Sequence, residues 1–209
     1  MNVRLLFALL PAFFLTCCGM VTVKQIAGDR VPEGFATDLC KGSWRGPDGT
    51  VAVFKLQDEA KGIVEVRTLE AGGQESRTHL ALRTLGERMV ATAWEKGQEK
   101  GVEPAPFLRV ALSHDHIAFF LPNDETMKDA VKKGLIAGEI HDDRAPGAAG
   151  EVRRAQKAES VVLEKFGLAE AEKLGGVLRC FDPDPATVLI REVEPRPSTK
   201  SEKSGGKKK

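Results

Sequence analysis

Thr50–Gln57 (TVAVFKLQ), Gly62–Glu70 (GIVEVRTLE), Arg77–Leu85 (RTHLALRTL), Glu87–Glu95 (ERMVATAWE), Phe107–Ser113 (FLRVALS) and Ile117–Leu121 (IAFFL) decide the fold. Each alternates side chains between two faces. In the first, Ala52, Phe54 and Leu56 lie on one side and Val51 and Val53 on the other. In the third, Leu80 and Leu82 alternate with His79, Ala81 and Arg83; in the fourth, Val90, Thr92 and Trp94 alternate with Met89, Ala91 and Ala93. A period of two is that of β-strands. Gly49, Gly62, Gly72-Gly73, Gly86 and Gly97 fall at the breaks, where hairpins need turns. Successive strands of this kind predict an antiparallel meander closing toward a barrel or sandwich.

Outward from this block the pattern changes. Pro122-Asn123-Asp124-Glu125 opens a predicted helix, with Asn123 as cap, acids in the first turn, and Met127, Ala130 and Val131 on one face. Gly138–Gly150 (GEIHDDRAPGAAG) reads as a loop. Ser160–Glu164 (SVVLE) fits a strand or part of a helix. Leu168–Phe181 reads as helical, interrupted by Gly175-Gly176, and Ala186–Val193 (ATVLIREV) as a last strand. The expected class is α+β, mostly antiparallel β, with two or three helices in the C-terminal half. Residues 19–36 mix short apolar pieces with Gly and Pro and read as a tether, with a short strand at Val21–Ile26.

The chain has 209 residues, 42% hydrophobic and 29% charged, with a net charge of +1. These values fit one globular domain with a real core, and exclude a disordered chain and a nucleic-acid binder of broadly basic surface. Six basic side chains against Glu202 gather in residues 195–209, leaving 24 basic and 29 acidic over residues 19–194. This tail is read as disordered, with anionic envelope polymers or lipid headgroups as its candidate contacts.

The N-terminus carries its own signal. Arg4 precedes the eleven-residue apolar run Leu5–Leu15, which has signal-peptide proportions and is too short to span a bilayer. Leu15-Thr16-Cys17-Cys18 then resembles the lipobox of bacterial lipoprotein precursors. That resemblance implies cleavage before Cys18 and acylation of its sulfur, with Cys17 as the alternative modified residue. It places the protein in the cell envelope, held at a membrane by lipid. Gly19, in place of the Asp that retains such proteins at the inner membrane, favours the outer membrane of a Gram-negative host. The expected division is signal peptide 1–17, lipidated N-terminus and tether 18–36, one β-rich domain 37–194, and tail 195–209.

Gly42-Ser43-Trp44 resembles the Gly-x-Trp that opens lipocalins and related ligand-binding barrels. There the Trp plugs one barrel end and packs on an Arg from a late strand, which implies Trp44 and Arg191 here, at a pocket for a small apolar ligand. Cys40 and Cys180 remain as a disulfide pair or two buried thiols. His114 and His116, with His141 or His79 as a third ligand, form the only metal candidates, and Ser113–His116 equally suits a hairpin turn. No Gly-x-Ser-x-Gly, Walker, His-Glu-x-x-His or Cys-x-x-Cys motif occurs. The reading is therefore an envelope lipoprotein that binds a protein partner or a small apolar ligand, without a cofactor. The alternative is an envelope enzyme built on the histidines.

Overall fold

The computed structural model describes residues 20–95, 104–142 and 159–192. The predicted signal peptide, Cys17 and Cys18 and the basic tail lie outside these residues. Eight antiparallel strands close into a barrel: β2 (Ser43–Arg45), β3 (Val51–Asp58), β4 (Ile63–Leu69), β5 (Glu75–Leu85), β6 (Arg88–Glu95), β7 (Ala105–Leu112), β8 (His116–Phe120) and β11 (Thr187–Arg191). Each of β2 to β7 pairs with the next in sequence, and β11 lies between β8 and β2. The six alternating segments are thus β3 to β8, and 186–193 supplies β11.

Alternation also fills the lumen. Phe54, Val64, Val66, Leu80, Leu82, Ala91, Val110 and Ile117 belong to one apolar cluster, none of them more than 5% exposed. The opposite parity serves a second core outside the wall. Leu85, Val90 and Phe107 point outward there, and Phe107, Phe166 and Phe181 meet with ring centroids 5.1 to 6.3 Å apart. Both faces of β6 are apolar because both are buried, on different cores.

This second core overturns two expectations. Residues 20–36 are not a free tether: β1 (Val21–Val23) runs parallel to β10 (Glu159–Leu163) and antiparallel to the start of β7. Val23 and Ala27 are fully buried, and the Ala27 N–H donates to Thr92 Oγ1 at 2.9 Å. Gly28, at φ 91°, passes so close to the barrel that a Cβ would lie 2.5 Å from that of Arg83. Only glycine suits that crossing. Nor is the start of 138–150 a loop, since Gly138–Asp142 forms β9 along β10. A Cβ at Gly138 would sit 2.8 Å from the Val162 carbonyl oxygen, so its absence permits the approach.

Three helices complete the described fold. α1 (Phe35–Leu39), unforeseen, precedes β2. α2 (Asp124–Lys132) is capped by Asn123, whose side chain accepts from the Thr126 N–H, and buries Met127 and Ala130. α3 (Leu168–Lys173) stops before Gly175-Gly176, and Val177–Cys180 form a 3-10 turn rather than continuing the helix.

The disulfide alternative is corrected too. Cys40 and Cys180 are both free thiols. β2 and β11 are antiparallel neighbours, so residues just before each lie at opposite ends of the pair. Cys40 packs against the lumenal cluster and Cys180 within the second core. Leu82→Ala in the lumen is expected to cost about 2–5 kcal/mol, whereas Leu69→Ala, at a 50% exposed site, changes stability by under about 0.5 kcal/mol. Urea unfolding of the two variants checks this.

Candidate functional site

The barrel end at Trp44 is built from two distant pieces of chain, residues 35–45 and the end of β11. Trp44 is fully buried, and its indole Nε1–H donates to the Leu39 carbonyl of α1 at 3.0 Å. Arg191 lies directly across from it in the β2–β11 ladder, and the guanidinium carbon stands 4.4 Å from the ring centroid. Arg191 Nη2 also donates to the Asp38 carbonyl at 3.3 Å. One cation thus ties the last barrel strand to the first barrel strand and to the helix closing that end, by a stacking that stabilises a shielded ring face. Trp44 and Arg191, named from the Gly42-Ser43-Trp44 resemblance, do meet. They form a plug.

Glu192 was not legible in the sequence. It accepts from Ser43 Oγ at 2.7 Å and from Arg45 Nε at 2.7 Å, and also pairs with Arg45 Nη2. The Ser43 hydroxyl, then Arg45, hold its carboxyl below the usual range. A glutamate after a strand announces nothing, because its partners lie 147 and 149 residues away.

The other end of the lumen is polar. Thr68, Ser76 and Thr78 share the inward face of β4 and β5, and Thr68 Oγ1 and Ser76 Oγ share a hydrogen bond of 2.5 Å. Between these ends Phe54, Val66, Leu80 and Leu82 pack together, none of them more than 5% exposed.

The outer wall has a different character. Ile190, Arg45, Val51 and Leu69 succeed one another directly across β11, β2, β3 and β4. Ile190 is 54% and Leu69 50% exposed, and Val53 in the next row is 44% exposed. A groove of about 620 Å³ lies at the Ile190 end of this stripe, lined by Pro47, Pro185, Val188 and Ile190 and edged by Arg45 and Glu192. Large exposed aliphatic groups in one row mark an interaction surface more often than scattered ones do.

The histidines are dispersed. His79 stacks on Trp94 on the outside of the barrel, ring centroids 5.8 Å apart, beside Glu65, whose carboxyl the Arg67 guanidinium holds below the usual range. His114 and His116 belong to the β7–β8 turn, where Ser113 Oγ accepts from the His116 N–H at 3.0 Å. His141 is on β9, next to Glu139. Among the described residues no three metal-ligating side chains gather, and the hairpin reading of Ser113–His116 holds. The thiols are equally unsuited to chemistry, since burial pushes Cys180 up to about 11 and raises Cys40 as well.

Comparison of the chain with known protein families, with curated proteins and with solved structures finds no match. The site therefore speaks through its own geometry. Arg191→Met, which keeps bulk but removes the cation, is expected to lower stability by about 1–3 kcal/mol. Trp44 fluorescence should shift to longer wavelength as the ring loses its cover. An unchanged melting temperature and spectrum would remove the plug role.

Proposed function

We propose that the protein is a lipid-anchored module of the cell envelope, favoured at the outer membrane, that binds an envelope protein through the outer wall at β11, β2, β3 and β4. The observation that carries this reading is a contrast. The lumenal wall is consumed by the core, with Val64, Leu82, Ala91 and Ile117 all at 0% exposure, while the Ile190–Leu69 stripe leaves large aliphatic groups in water. An open apolar row of this size is worth burying against a partner's surface. Arg45 and Glu192, paired at its centre, supply a polar group that fixes register. The basic tail would add contacts to anionic envelope polymers.

The anchor rests on Leu15-Thr16-Cys17-Cys18. Two or more acyl chains on one cysteine hold a folded domain at a bilayer stably, whereas one chain binds reversibly. The intact mass of protein extracted from membranes is expected to begin at Cys18 and to carry diacylglyceryl mass. Protein found in solution without fatty mass would overturn the anchor.

For the wall, a photoreactive amino acid at position 190 is expected to yield one discrete adduct in intact cells, while the same group at Lys173, exposed on α3 over the second core, yields none. Ile190→Glu should abolish the complex with stability altered by no more than about 0.5 kcal/mol. Complex formation undiminished by Ile190→Glu would sink the proposal.

A further inference from the structure

The fold grips its own N-terminus close to the candidate anchor. Val161 N–H donates to the Met20 carbonyl at 2.8 Å, and Val21, 6% exposed, is already in register with Val161. Cys18 precedes Met20 by two residues, so their Cα atoms are at most about 7 Å apart, and the Cys17 register adds only about 3.5 Å. Acyl chains buried in hydrocarbon place the glyceryl thioether at the boundary between tails and headgroups. The headgroup layer beyond it is roughly 5–8 Å deep. The chain between lipid and fold is therefore about as long as that layer is thick. Nothing remains for a spacer.

We infer that the folded domain rests directly on the lipid headgroups, seated on the face around Met20; this rests on the lipid-anchor reading above. Met20 lies in a cleft of about 230 Å³ with Phe107, Leu108 and Leu121 below it and Asp124, Glu125 and Asp182 on its rim. The cleft opens where β1 comes alongside β7 next to the departing end of β8. Lys128 bonds to Asp124 at 2.5 Å, which leaves the rim acidic overall. An acidic face suits zwitterionic headgroups bearing an ammonium better than purely anionic ones. β3 stands four strands from β7 in either direction around the ring, so its outer side chains, Lys55 among them, point away from this face.

The test compares Glu125→Cys with Lys55→Cys in full-length acylated protein on phosphatidylethanolamine vesicles, by reaction with a bulky polyethylene-glycol maleimide. Both positions are exposed in the fold. The native thiols give little background, Cys180 being buried and Cys40 half-buried. Glu125→Cys is expected to react about tenfold or more slowly than Lys55→Cys, because the headgroups cover it. A long flexible Gly/Ser insertion between Gly19 and Met20 should restore its rate without releasing the protein from the vesicle. Equal rates without the insertion, on protein whose mass shows acylation, would overturn the seating and leave the anchor standing. Protein with no fatty mass would overturn both.

Discussion

The ring depends on one short, long-range pairing. Seven of the barrel strands find a partner next to them in sequence, through hairpins that form locally. Closure requires β11 to meet β2, a strand of three residues, across nearly the whole domain. Two ladder positions join them, Ile190 with Arg45 and Arg191 with Trp44. The loop entropy of that encounter has to be met by what surrounds it. Trp44 and Arg191 act on the inside and Glu192, with Ser43 and Arg45, on the outside. An exposed ion pair contributes little alone, so the buried stacking on Trp44 contributes more to closure. Without closure, β2 and β11 would each present a free edge.

A second layer explains why one wall tolerates apolar residues on both faces. Phe107 and Val90 would be errors on the outside of an isolated barrel. They are covered by β1, β10, α3 and the Phe166–Phe181 pair, and β7 carries both layers because it pairs with β6, β8 and β1. The barrel is therefore asymmetric: one side is an internal interface, and the side of β2, β3 and β4 is outer surface.

What the sequence disclosed follows from how local each signal was. The six alternating segments and their turns were legible because a hairpin strand and its partner are adjacent. The doubly apolar pattern of Glu87–Glu95 was visible too, yet alternation alone does not name what covers the second face. The short strand expected at Val21–Ile26 was legible, but its place in the sheet was not, because its partner Val161 lies 140 residues from Val21. β9 was hidden by its Gly and Asp content, although Gly138 is there for close packing. At the candidate site, Trp44 and Arg191 were found by resemblance, and Glu192 was not found. The idea of a Cys40–Cys180 bridge used the adjacency of β2 and β11 correctly and neglected their direction. Antiparallel neighbours bring the start of one to the end of the other.

Seating and wall constrain each other. If the domain stands on the face around Met20, beside β7 and the end of β8, then the strands opposite are carried farthest from the bilayer. The stripe from Ile190 to Leu69 runs over β11, β2, β3 and β4, centred on the side of the ring remote from β7. A partner held in the same membrane at headgroup level would meet the wrong wall, whereas one lying farther from the bilayer would meet the apolar row directly. A flexible tether would have left every orientation open, making the position of the stripe irrelevant to what it meets. The burial of β1 in the second core removes that freedom. On the lipid-anchor reading, the short N-terminal strand, expected from the sequence but not expected to be built into the sheet, is the one that would couple anchor to wall.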